Sequence, residues 1–169
     1  EMLVVVSPTL QRLLIELALG SDFRILRLPA SSRIFPPPSN TTIDRASDLL
    51  AASSVLSYLR SSRAASAAPE ASRLTERIRG LVTELTASQG EDGGWPWVVG
   101  SSNAANKPNS DRISTARVVW ALSSVEPLGL LTDANALEKA SGFLTAEYGK
   151  LGPGDHETRA IVLHALSTR

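Results

Sequence analysis

The stretch Leu85-Thr86-Ala87-Ser88-Gln89-Gly90-Glu91-Asp92-Gly93-Gly94-Trp95-Pro96-Trp97 restricts the fold more than any other part of the chain. Just upstream, Leu74, Ile78, Leu81, Val82 and Leu85 fall at i, i+4, i+7, i+8 and i+11, the apolar stripe of an amphipathic helix. Gly90 suits a helix stop, because a residue without Cβ enters the left-handed region without a clash. Asp92-Gly93-Gly94 then offers residues that tolerate positive φ and a sharp reversal. Downstream, Ser114 to Leu122 holds one charge, Arg117, and is apolar on nearly every side. A helix apolar all round is normally enclosed by other helices. The expected unit is an amphipathic outer helix, a bend bearing Trp95 and Trp97, and a buried inner helix. Core or turn packing explains the two tryptophans more simply than a ligand-stacking platform does.

A chain of 169 residues can enclose a substantial core, and its length suits one domain over residues 1–169. Lysine and arginine number 17 and aspartate and glutamate 17, so charge gives no case for nucleic acid or an anionic membrane surface. There is no cysteine, which excludes disulfides, thiolate metal sites and a cysteine nucleophile. Met2 to Val6 is a short apolar run before Ser7-Pro8. It is too short to span a membrane and lacks a basic leader, and reads as an extended lead-in. No other run is long and apolar enough to suggest a span. The apolar Leu163-His164-Ala165-Leu166 so near Arg169 reads as a piece of something longer.

Taken in order, Ser7-Pro8 starts a helix carrying Leu10, Leu13, Leu14 and Leu17, which Gly20 ends; residues 1–20 form a lead-in strand and first helix. Residues 21–41, with Pro29 and Pro36-Pro37-Pro38, are expected as an irregular loop, mobile or docked on a neighbour. Helical hairpins fill 42–169. Thr41 or Thr42 caps a helix with Leu49, Leu50, Val55, Leu56 and Leu59, and residues 61–68 are a small-residue connector. Pro69-Glu70 opens the next helix. A polar loop follows Trp97, with Ser110 or Asp111 capping the inner helix, which Pro127 and Gly129 close. Thr132 or Asp133 starts a helix bearing Leu137, Ala140, Leu144 and Tyr148, and Gly149 ends it. Asp155, alone or with Glu157, opens the last helix, Thr158 to Leu166.

The chain also repeats itself. Leu85 to Gln89 is echoed by Phe143 to Glu147 at an offset of 58. At an offset of 44, Ser114, Ala116, Val118, Val119, Ala121 and Leu122 match Thr158, Ala160, Val162, Leu163, Ala165 and Leu166. The difference is about the length of the polar loop from Val98 to Asp111. Two to three hairpins of alternating outer and inner helices are therefore expected, all-α, each burying its inner face against neighbours. If such an array closed into a ring, this chain would be about half of it.

Gln89-Gly90-Glu91-Asp92-Gly93-Gly94-Trp95 resembles the Gln-x-x-x-Gly-x-Trp motif of terpenoid cyclases, which are α/α toroids. Lys139-Ala140-x-x-Phe143-x-x-x-Glu147 resembles its front half, without the tryptophan. The run from Gln89 through Trp97 to Thr115-Ala116-x-Val118-Val119-x-Ala121-Leu122 is more similar still to the thioester-containing domain of alpha-2-macroglobulin and complement proteins. Leu3 to Leu10 resembles that domain's entry strand and first helix. Where the family carries Gly-Cys-Gly-Glu-Gln, this chain has Gly20-Ser21-Asp22-Phe23-Arg24, so a thioester cannot form. Bacterial members without the bond are the best likeness. The resemblance implies a non-catalytic structural and interaction domain of a protease-trapping protein, periplasmic or secreted. Its partners would be other domains of the parent chain and a trapped protease, and the isolated piece is expected to self-associate through exposed apolar inner helices. The alternative is a fragment of a terpenoid-cyclase-like or polysaccharide-acting toroid enzyme, with inner-helix ends lining a cavity.

Neither an Asp-x-Asp-Asp acid motif nor the Asp, Cys and His zinc set of prenyltransferase toroids is present, so no catalytic residue, metal or cofactor is assigned. His156, between Asp155 and Glu157, reads as an exposed cap neighbourhood rather than a metal site. His164 matches Trp120 in the repeat, and both read as inner-helix packing or cavity lining. Asp92 reads as a turn aspartate bonding its own backbone rather than a catalytic acid. Gln89 reads as satisfying backbone groups at a helix end. Gly93-Gly94 has neither the preceding strand nor the following lysine of a phosphate loop. The bend formed by Gln89, Asp92, Gly93, Gly94, Trp95 and Trp97 is thus expected to be structural.

Overall fold

The computed structural model describes residues 41–62, 68–98 and 110–169. The expected lead-in strand, the first helix and nearly all of the 21–41 loop lie outside those residues, as does most of the polar loop after Trp97. The described residues are all-α. They form α1 (Thr42–Ser62), α2 (Ala68–Ala87), α3 (Arg112–Val125), a 3-10 turn (Glu126–Leu128), α4 (Ala134–Tyr148) and α5 (His156–Ser167). Among them, extended pairing is limited to two isolated antiparallel bridges, Thr41 with Val98 and Trp95 with Asp111. None of the described helices is long and apolar enough to cross a membrane.

α2 is amphipathic in the expected register: Leu74, Ile78, Leu81, Val82 and Leu85 are all buried. α3 is enclosed, burying nine residues that include Val118, Val119, Ala121, Leu122 and Val125. It packs against α1, α4 and α5, while α1 also holds α2. Arg45 pairs with Glu84 at 3.3 Å and Asp48 with Arg77 at 3.1 Å, so α1 and α2 run antiparallel. The bridges put the starts of α1 and α3 beside the bend that follows α2, which makes α1 and α3 parallel. α5 lies parallel to α3: Trp120 meets His164, and Ala116, Arg117, Ala160 and Ile161 line the same groove. The chain thus builds a row of inner helices, α1, α3 and α5, alternating in sequence with α2 and α4.

The ends follow local chemistry. Thr41 Oγ1 accepts from Asp44 N–H, Asp111 from Ser114 N–H and Asp133 from Asn135 N–H, as N-caps should. Gly129, at φ 70°, ends the 3-10 turn after α3, the left-handed stop that glycine adopts without strain. Three details differ from the sequence expectations. Gly90 is not left-handed; Gly93 is, at φ 86°. α1 runs on through Ser61 and Ser62, because serine is only a modest helix penalty when the preceding turns are already packed. Asp155 makes no side-chain cap; its carboxylate accepts instead from Gly152 N–H at 2.9 Å, holding the turn before the helix.

Candidate functional site

The bend after α2 fastens four helices. Trp95 is fully buried, and both of its N–H groups are used. Its backbone N–H donates to Thr115 Oγ1 at 2.9 Å and its indole Nε1 to the Leu85 carbonyl at 2.7 Å. Its own carbonyl accepts from Asp111 N–H at 2.7 Å. The next carbonyls reach α1: Pro96 O accepts from Thr42 Oγ1 and Trp97 O from Thr42 N–H. Gln89 Nε2 donates to Gly93 O at 2.9 Å and to Ala136 O in α4 at 2.8 Å. One side-chain amide therefore closes the bend and ties it to the next outer helix.

Asp92 is the turn aspartate that the sequence suggests. Its Oδ1 accepts from Gly94 N–H at 3.1 Å and from Ser110 Oγ at 2.7 Å, an Asx-type arrangement. The glycines have distinct reasons. Gly93 needs its positive φ, and a Cβ there would also lie 2.7 Å from Lys139 O. A Cβ on Gly94 would sit 2.4 Å from Ser110 Cβ, and one on Gly90 2.7 Å from Asp92 Oδ1. Close approach, not handedness, requires glycine at 94, whereas a Cβ at 90 would press on the Asp92 carboxylate, the end of a side chain.

Trp97 behaves differently, being 54% exposed beside the exposed Val98. The packing reading therefore fits Trp95, while only the backbone of Trp97 serves the clasp. Trp120 and His164 come together away from the bend, ring centroids 4.8 Å apart and planes at 82°. The Arg117 guanidinium lies 5.5 Å from the Trp120 ring centroid. These residues line the groove of about 260 Å³ between α3 and α5. A second hollow lies between the bend and α4, walled by Asp92, Gly93, Lys139, Phe143 and Glu147 among others. Among the described residues no group of three or more His, Asp or Glu is placed to hold a metal ion.

Sequence reasoning missed the partners of the bend, Thr42, Ser110 and Thr115, whose small hydroxyls have no spacing signature of their own. It also registered the outer helices one place off. The buried Ile78, Leu81 and Leu85 correspond to the buried Leu137, Ala140 and Leu144, an offset of 59, whereas an offset of 58 would pair Leu81 with the exposed Lys139. The chain matches no family model, no curated protein and no solved structure.

Proposed function

We propose that this chain is a non-catalytic interaction domain built as part of an α/α toroid, in an alpha-2-macroglobulin-like protease-trapping protein that lacks a thioester and works in the periplasm or outside the cell. The observation that carries the non-catalytic reading is the use of the bend's polar atoms. The Gln89 amide nitrogen, one Asp92 carboxylate oxygen and the Trp95 indole N–H are spent on backbone and hydroxyl partners within the fold. Atoms engaged in this way position helices. The row of parallel inner helices flanked by outer ones supports the toroid arrangement, and the motif from Gln89 to Trp97 supports the family.

The test is to challenge the polypeptide carrying this domain with methylamine and with endopeptidases, followed by intact-mass analysis and gel filtration. Retention of protease without any mass added to residues 1–169 is expected. A covalent adduct mapped to this segment, or failure to retain any protease, would overturn the reading.

A further inference from the structure

The three inner helices carry one pattern in three copies, the first of which is not apparent without the structure. Ala46, Leu49, Ala51 and Ser53 of α1 recur as Ala116, Val119, Ala121 and Ser123 of α3, and as Ala160, Leu163, Ala165 and Ser167 of α5. The residue before each helix, Thr41, Asp111 or Asp155, stands five places ahead of the first alanine. The copies are thus aligned in space as well as in sequence.

Equivalent positions have unequal surroundings. Ala46, Leu49 and Ser53 are buried, and Ser53 Oγ lies 2.8 Å from Ser124 Oγ of α3, the next helix in the row. Ala116, Val119 and Ser123 are also buried, with Ala116 at the groove between α3 and α5. Their counterparts Ala160, Leu163 and Ser167 are exposed, Leu163 to 49%. On the other side of each helix the copies agree: Val118 and Ala121 in α3 are buried, as are Val162 and Ala165 in α5. So α5 has the back of an inner helix covered and the front open.

We propose that the Ala160–Leu163–Ser167 face of α5 docks a fourth inner helix. It would present a β-branched residue and an alanine three places on, as Val118 and Ala121 do, and would come from a neighbouring helical domain. Continuity with the α1–α3 and α3–α5 interfaces sets this occupant, because packing in a repeat row is decided between nearest neighbours. A second copy has no open surface that would repeat the α1–α3 contact. Its Val118, Ala121, Val162 and Ala165 are already buried, and α1 has Asp48, paired with Arg77, where α3 has Val118. The proposal stands on the repeat and does not need the protease-trapping reading.

The probe is a lactam-stapled helical peptide of residues 111–126 of this chain, labelled and titrated into the 169-residue protein by fluorescence anisotropy. Saturable one-to-one binding is expected, weakened at least tenfold by Leu163→Glu and by Ala160→Glu but not by Thr83→Glu on the outer face of α2. Both substituted positions are exposed, and circular dichroism verifies that the variants keep their helices. No saturable binding, or binding indifferent to both α5 substitutions, would overturn the proposal. So would a concentration-dependent dimer of the unmodified chain that Leu163→Glu dissolves, since the face would then belong to a second copy.

Discussion

Trp120 and His164 meet edge to face at 4.8 Å, and each stands nine places after the residue that precedes its helix. Two equivalent positions on parallel neighbours touch only if their side chains leave the row on the same side. The ring contact therefore reports the repeat geometry directly. Arg117 adds a cation near the indole, so this edge of the row combines aromatic surface with positive charge.

A double-mutant cycle measures the pairing. Aromatic pairs of this geometry contribute about 0.5–1.5 kcal/mol beyond area burial. Trp120→Ala and His164→Ala are each expected to destabilise, and the double variant by less than the sum, with a coupling in that range from urea unfolding. Strict additivity would show that the approach of the rings carries no energy.

Trp95 and Trp97, two residues apart, are expected to respond oppositely. Trp95→Phe removes one donor to the buried Leu85 carbonyl, which keeps Ser88 N–H and Oγ, so the loss should be that of one ordinary hydrogen bond, about 0.5–1.5 kcal/mol. Trp95→Ala adds a cavity and should cost about 3–5 kcal/mol. The exposed Trp97 is held through its backbone carbonyl, so Trp97→Ala should stay within about 0.5 kcal/mol. Urea midpoints at unchanged m-value give the comparison. Equal losses at the two positions would contradict the assignment of Trp95 alone to the clasp.

Glycine substitutions separate the bend from the helices. Gly93→Ala meets both a positive φ and the Lys139 carbonyl, and should destabilise by more than the roughly 1 kcal/mol gained at compatible glycines. Gly142, within α4, has nothing within 4 Å of an added Cβ. There Gly→Ala should stabilise by about 0.5–1 kcal/mol, the helix-propensity difference. Thermal or urea unfolding of the two variants checks the opposite signs.

The amphipathic stripe of α2, the enclosure of α3 and the cap at Asp111 were readable because each follows from a local rule acting on a clear periodic pattern. The first copy of the inner-helix repeat was not. α1 has Asp48 where α3 has Val118 and Ala52 where α3 has Leu122, so two of the larger residues that made the other copies recognisable are missing there. What persists is alanine and serine, too common in this chain to stand out until burial shows which of them face a neighbour. Gly90 misled for a related reason. Sequence indicates that a Cβ is unwelcome, and only coordinates distinguish a left-handed φ from the nearby Asp92 carboxylate.

The aspartates before α3 and α5 give a final comparison. Asp111 Oδ2 accepts from Ser114 N–H at 2.7 Å, so Asp111→Ala should cost about 0.5–2 kcal/mol, the usual loss for an N-cap. Asparagine, which retains an acceptor oxygen, should recover most of it. Asp155 reaches back to Gly152 and not forward to its helix. Its negative charge near the start of α5 is worth about 0.3–1 kcal/mol through the helix dipole, and salt screens that contribution. Asp155→Ala should therefore cost less than Asp111→Ala, and its effect should shrink between low and high salt while that of Asp111→Ala largely persists. Unfolding both variants at two ionic strengths decides the matter. A salt-insensitive Asp155→Ala loss as large as that of Asp111→Ala would mean that the bond to Gly152 N–H, and not the charge, is what the start of α5 depends on.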